Sequence, residues 1–457
     1  MRQLTHYMFA CSLIILGGCS DWLNVKPSNQ VEQSEMFSTE TGFKNALTGI
    51  YIQLKSQSLY GQNLTMGFME NLSQHWKVSS GSMEGHTSAY NYKDKEVEAV
   101  VDEIYTQLYH TIVNINNLLR FIDNGVLTPS MYRVIKGEAL ALRAFCHLDL
   151  LRLYGPIPGR QDANKMLSYA QSASRKNLPV HTWDEFIGLL EQDLLEAEKL
   201  LKEIDTVIQS PQDDFLTYRQ NRMNYWAILA LKARFYLWIQ KKDQAMACAK
   251  QVISACPWKL STSQDFTQKN YIASKEHLFA LHVYNLEELT EHYFYRPGGV
   301  EQTQKRIQKD LFQSDITDIR VKELWKPFAD PSRTRYVLMK YKQGAESSIA
   351  SQQLIPLIRL YEMYLIAIEC STQCTEYQQL TNKIVEARNI SLTIDLSSID
   401  KKDEFVAKEY NKEFYGEGQH FLQCKRRGDE NILWSNKQGS SSIYMLPIPK
   451  NEIKYIQ

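Results

Sequence analysis

Long apolar runs are missing from this 457-residue chain: the apolar stretch at 8–16 stops at Gly17, well short of the roughly 20 residues a bilayer-spanning helix needs. An excess of charge is missing too. The 52 basic and 52 acidic residues give a formal net charge of zero, which removes any global attraction to nucleic acid or anionic lipid. No paired CxxC set is present, which argues against a structural zinc site. Walker A, GxGxxG, HExxH, GxSxG and EF-hand patterns are absent, and the ten histidines do not cluster at ligand spacing. The many carboxylates read as solvated helix faces, because nothing in the order of residues sets two of them across a cleft as glycoside hydrolysis requires. No catalytic residue, metal or cofactor is expected.

What is present begins at the N-terminus. Arg2, the apolar run at 8–16 and the tetrapeptide LGGC at 16–19 form an export signal. A cysteine directly after Leu-Gly-Gly is the pattern that lipoprotein signal peptidases cut. Residues 1–18 are therefore expected to leave, and Cys19 to carry lipid at the head of a single domain spanning 19–457. Each buried lipid CH₂ contributes about 0.8 kcal/mol, so several chains together anchor stably. Of the eight cysteines, Cys11 goes with the signal. Cys146, Cys248, Cys256, Cys370, Cys374 and Cys424 read as small buried apolar groups, in preference to a disulfide of the oxidising exterior. Cys370 and Cys374 are four apart, a spacing that would put both on one helix face.

The rest of the chain reads mostly as helix. Ser38 is a plausible N-cap for a helix carrying Phe43, Ala46, Leu47, Ile50 and Leu54 at helical spacing. A second helix is expected over 96–122, ended by Asn124 and Gly125. A third, over 130–154, is stopped by the GPIPG run at 155–159. In the third, Lys136, Arg143 and His147 form one polar line, and Glu138, Asp149 and Arg152 form another on the opposite side, with apolar flanks between. A helix with two apolar flanks packs between neighbours, as in a stacked solenoid. Further helices are expected over 183–201, 225–239 and 244–255. Ala233, Tyr236, Ala245 and Pro257 fall at the spacing of a tetratricopeptide repeat, and 357–369 with 377–389 forms another such pair. The stretches 77–94 and 258–356 are irregular and rich in Gly, Ser, Asn and aromatics, which is where a rigid scaffold usually carries binding.

Four segments stand out along the chain. The first is CSDWLNVKPS at 19–28 with EMF at 35–37 and FKNALTGIY at 43–51. The second is GEALALRAF at 137–145 with LYGPIP at 153–158, and the third is IRLYEMYLIA at 358–367. The fourth is EFYGE at 413–417 with KRRG at 425–428 and LPIPKNEI at 446–453. In order and spacing these segments resemble the SusD/RagB family of outer-membrane nutrient-binding lipoproteins, from which the chain departs in having Tyr410 after Glu409 and Gln419 after Gly418, where arginines are usual. The resemblance implies an all-α fold of tetratricopeptide-like helical pairs with an irregular, loop-rich ligand-binding face. It also implies a place on the outer membrane, as a lid over a SusC-like TonB-dependent transporter. The ligand would be an oligosaccharide, or a peptide as in some members.

The family motifs are structural and carry over no ligand residues, so candidates come from local composition. Trp76, Tyr90 and Tyr92 lie in or beside the first irregular stretch, and Tyr284, Tyr293, Tyr295 and Arg296 in the second. Tyr and Trp offer flat apolar faces with a polar edge for hydroxyls, and Arg offers a planar fork. Glu70 and His75 are weaker candidates, and Trp76 and Tyr284 have an ordinary core role as their alternative. The tracts at 425–427 and 447–449 read as scaffold. The aromatic surplus, 26 Tyr and 8 Trp, and the zero net charge suit a glycan. A scaffold that binds only the transporter, without ligand, and a surface glycan hydrolase remain as other readings.

Overall fold

The computed structural model describes residues 33–161, 166–173, 179–206, 214–296, 299–330, 333–342 and 353–456; Cys11 and Cys19 lie outside them. The first long helix, α1 (Glu40–Leu54), starts one residue later than Ser38 would set it. Thr39 is the N-cap and accepts from the Gly42 amide, while the Ser38 hydroxyl turns back to the Glu35 carbonyl at the end of the preceding helical turn. Helix α2 (Lys95–Phe121) is capped by Asp94, which accepts from the Glu96 and Val97 amides. Helix α3 (Pro129–Tyr154) has Thr128 as N-cap and Pro129 in its first turn, both signals that start helices. Helix α4 (Trp183–Asp205) opens with a capping box between Thr182 and Glu185.

Helix α3 packs between α2 and α4, and its two polar lines explain how. Arg143 donates twice to Asp193 of α4, at 2.7 Å each, and once to Asn116 of α2. On the other side Glu138 accepts from Tyr51 of α1 and from Arg219 and Arg222, while Asp149 accepts from Tyr60. Each charge on the helix is thus consumed by a neighbour, so the helix is buried nearly all round. Gly137 permits the close approach: a Cβ there would sit 2.7 Å from the Leu201 side chain of α4.

Helices α5 (Tyr225–Trp238) and α6 (Lys242–Ala255) form the tetratricopeptide-like pair, with Ala233 and Ala245 fully buried where the two pack together. The cations of α5 are paired, Lys232 with Glu198 and Arg234 with Glu362. Helix α7 (Leu360–Cys370) packs on α6 and on both α8 (Cys374–Arg388) and α9 (Ile399–Glu413), and α10 (His420–Arg427) follows α9. The fold is all-α in its scaffold, with most helices laid against their sequence neighbours and α8 and α9 both laid on α7. Cys370 and Cys374 end one helix and begin the next, so the break at 371–373 separates them. The six described cysteines are free, four of them buried, with Cys256 half-buried and Cys374 exposed.

The two irregular stretches hold short elements. Within 77–94 there is one helical segment, Met83–Ser88. Within 258–356 lie β1 (His277–His282), β2 (Trp325–Asp330) and β3 (Arg333–Leu338). Strand β4 (Leu354–Arg359) then runs directly into α7. Strands β1 and β4 pair antiparallel, Phe279 opposite Ile358, and β2 pairs with β3, Trp325 opposite Leu338. The helix expected from 357 therefore begins only at Leu360. The run LIPLIR is apolar without helical period, and strand pairing with β1 uses it first.

Candidate functional site

Glu70 lies in the short helix Phe68–Leu72 and is fully buried. One of its oxygens accepts from the Gly418 amide at 2.7 Å, and the other bonds Nδ1 of His75. Gly418 has φ of +70°, and a Cβ there would strike the Leu64 carbonyl, so the contact depends on glycine. Nε2 of His75 meets Oδ1 of Asn411 in α9 at 2.7 Å. The His75 ring lies parallel to Tyr415, 3.9 Å between centroids, and to His420 at 5.0 Å.

Trp76 follows and turns inward. It is 3% exposed, its indole N–H donates to the Met66 carbonyl at 2.8 Å, and its ring packs edgewise on Phe294 and Tyr415. Phe294 carries Tyr293 and Tyr295 on either side, so Trp76 and the 293–295 segment share one aromatic cluster. Tyr295 is buried and Tyr293 half-buried, and burial raises both phenols above their ordinary range. Arg296 is exposed beside them. Tyr90 is buried and donates to the Leu72 carbonyl, and half-buried Tyr92 donates to the Ile443 carbonyl. Tyr284 stands apart, 73% exposed, with the Lys55 ammonium 5.9 Å from its ring centre. Four of the seven candidate rings and forks are thus mainly packing groups in this conformation, and Tyr284, Tyr293 and Arg296 reach solvent.

The open feature of this face lies on the far side of His75. A cavity of about 800 Å³ sits between α9, α10 and the segment around residue 310. Asn411 and His420, the two side chains set against His75, line it. Asp310, Asp400, Asp403 and Arg427 add planar polar groups, and Leu311 and Leu433 add apolar wall. A neighbouring groove of about 400 Å³ shares Gln313, Glu404 and Lys408 with it. Beside the cavity stands half-buried Trp434, at φ +67°. Its indole N–H donates to Asp310 at 3.1 Å, Arg306 lies over its ring at 5.1 Å, and its ring meets His75 edgewise at 6.3 Å. Glu70 and His75 accordingly stand one layer behind the cavity wall.

The chemistry available there is hydrogen bonding and stacking. Burial, with His75 beside it, holds His420 well below the usual histidine range, so its ring is neutral at physiological pH. Burial also pushes the Cys424 thiol up, away from thiolate reactivity. Among the described residues no three His, Cys, Asp or Glu side chains are arranged to hold a metal, and no described helix is long and apolar enough to cross a membrane. The sequence reading missed Trp434, Asp310 and the α9 carboxylates. One signal was available: Trp434 is a lone Trp in a Gly-, Asn- and Ser-rich stretch at 428–442, the composition of a surface loop. Of the basic tract, Lys425 is buried against the Leu153 and Gly155 carbonyls and Arg426 pairs with Glu369, whereas Arg427 reaches the cavity.

Comparison with known proteins agrees across nearly the whole chain. Residues 21–237 match a SusD-like family described as starch-binding and associating with the outer membrane, and residues 267–455 match the SusD family. The SusD-like protein P38 of Formosa agariphila is 22% identical over 92% of this chain and 90% of its own. A SusD superfamily protein from Bacteroides vulgatus superposes with a TM-score of 0.73 at 21% identity, covering 91% of this chain and 97% of that one. A SusD-like carbohydrate binding protein from the same species also gives 0.73, at 18% identity and 91% and 96% coverage.

Proposed function

We propose that this chain, which belongs to the SusD family, captures an oligosaccharide at the cell surface and delivers it to a TonB-dependent transporter in the outer membrane. Lipid on Cys19 would hold it there. The observation that carries this reading is the cavity of about 800 Å³ beside Trp434. Sugar rings present an apolar face and a rim of hydroxyls. The indole of Trp434 and the Leu311 and Leu433 walls answer the first, and Asp310, Asn411 and Arg427 answer the second. The starch-binding and carbohydrate-binding descriptions of the matched family and of one structural neighbour point the same way. Half-buried Tyr293 and exposed Arg296 belong to this proposal beside the same aromatic cluster, and Tyr284 as a separate surface position.

The test is an array of oligosaccharides and peptides probed with protein beginning at Ser20. Binding to a glycan class is expected, and Trp434→Ala should weaken it at least about tenfold, the scale of one lost stacking contact. Binding to peptides alone would move the ligand to the peptide class. Silence on both with folded protein would leave a lid of the transporter without a ligand of its own. For the anchor, fatty-acid labelling of the full chain in cells should be lost in Cys19→Ser, and retained label would sink the lipidation.

A further inference from the structure

We infer that the cavity takes uncharged or amino-bearing sugar residues and rejects uronate and sulfated glycans. This rests on the glycan reading above and deepens it. Five carboxylates line the cavity, Asp310, Asp400, Asp403, Glu404 and Asp429, against two cations, Lys408 and Arg427. Both cations are already engaged: Lys408 lies 2.7 Å from Glu404, and Arg427 lies 3.2 Å from Asp429. Setting those pairs aside leaves Asp310, Asp400 and Asp403. Asp310 accepts the Trp434 N–H, a neutral donor that does not cancel its charge. Lys402 pairs with Asp403 at 3.5 Å while also donating to the Glu369 and Ser371 carbonyls, and Lys401 adds a second cation 3.1 Å from Glu404, so among the described residues Asp310 and Asp400 are the two lining carboxylates left without an ion pair. Arg306 is stacked on the Trp434 ring at the cavity's edge.

His420 supplies an independent sign that a neutral ligand group belongs here. It is 7% exposed and lines the cavity, and the hydrogen-bond partner found for its ring nitrogens is the Cys424 thiol, no closer than 3.6 Å. A buried imidazole in this position can give one hydrogen bond and accept another. A sugar hydroxyl does both in return. A carboxylate or sulfate only accepts, and would meet the charges of Asp310 and Asp400 with a neutral histidine. The chain as a whole has zero net charge, so no global field offsets this local one, and a cleft concentrates it.

The experiment compares matched ligands on the mature protein: the neutral oligosaccharide found on the array, the same chain oxidised to carboxylates at C6, and the same chain sulfated. Wild type should bind both anionic forms at least about tenfold more weakly than the neutral one at low salt, with the gap narrowing as salt screens the charges. In Asp310→Asn/Asp400→Asn the neutral-to-carboxylated affinity ratio should fall several-fold, whatever the change in neutral binding. Equal or tighter binding of the anionic forms by wild type would overturn the inference and leave the glycan reading standing. A ratio unchanged in the double variant would overturn it as well. Absence of glycan binding would remove both together.

Discussion

Two tryptophans differ in how deeply they are packed. Trp76 is 3% exposed, spends its N–H on the Met66 carbonyl and sits among Phe294 and Tyr415. Trp434 is half-buried beside a cavity, with Arg306 over its ring and its N–H on Asp310. Trp76→Ala is therefore expected to cost about 3–5 kcal/mol of stability, and Trp434→Ala a fraction of that. Urea denaturation of the two variants, set beside their glycan binding, checks the contrast; a destabilised Trp434→Ala and an unaffected Trp76→Ala would reverse the assignment. At this scale the sequence is a poor guide. Trp76, Tyr90 and Tyr295 share residue type and loop context with exposed aromatics, and burial depends on what a distant segment places over them. Phe294 and Tyr415 cover Trp76 from more than 200 positions away, and no local pattern reports that.

At the scale of elements the sequence is more telling, because caps and periodicity are local. Thr182, Asp94 and Thr128 start helices where their side chains can bond the first free amides, and the two polar lines of α3 anticipate its position between neighbours. The Arg143–Asp193 pair that fastens α3 to α4 is nearly buried, with side chains 7% and 4% exposed. Asp193→Ala leaves the guanidinium without its main partner and should cost about 3–5 kcal/mol. Replacing both, as Arg143→Met with Asp193→Leu, should recover much of that loss in the same denaturation measurement. If the double variant were as unstable as Asp193→Ala, the pair would not be the source of the cost. The element-level misreadings were at Ser38, where Thr39 is the cap, and at 357 and 370–374, where strand pairing and a three-residue break override helical pattern.

Over the whole molecule, a buried ionic network joins the loop-rich portion to the C-terminal helices. Arg359 contacts Glu276, Glu413 and Glu417, Arg388 contacts Glu276 and Glu413, and Arg320 contacts Asp318, Glu409 and Glu413. These residues are all 5% exposed or less. Burial alone would raise the Glu409 carboxyl, but Arg320 and Lys412 outweigh it and bring it from the ordinary 4.5 to about 2. A carboxyl lowered by folding stabilises the fold above its unfolded value and loses that contribution as pH falls through the folded one. Stability should therefore drop as pH falls from about 4.5 towards 2, and Glu409→Gln should flatten the slope in that window. Urea midpoints taken between neutral pH and about pH 3 measure it; an unchanged slope would mean Glu409 does not carry the acid sensitivity.

The sequence by itself determined the helical scaffold and the family resemblance, because caps, periodicity and short motifs are properties of neighbouring residues. Only the tertiary structure decided which aromatics face water and where the cavity lies. Asp310 of one segment, Asn411 of α9 and His420 of α10 meet there, with Trp434 of a late loop bonded to Asp310 beside them, and their proximity is set by how helices far apart in sequence pack, which side-chain spacing along the chain does not encode.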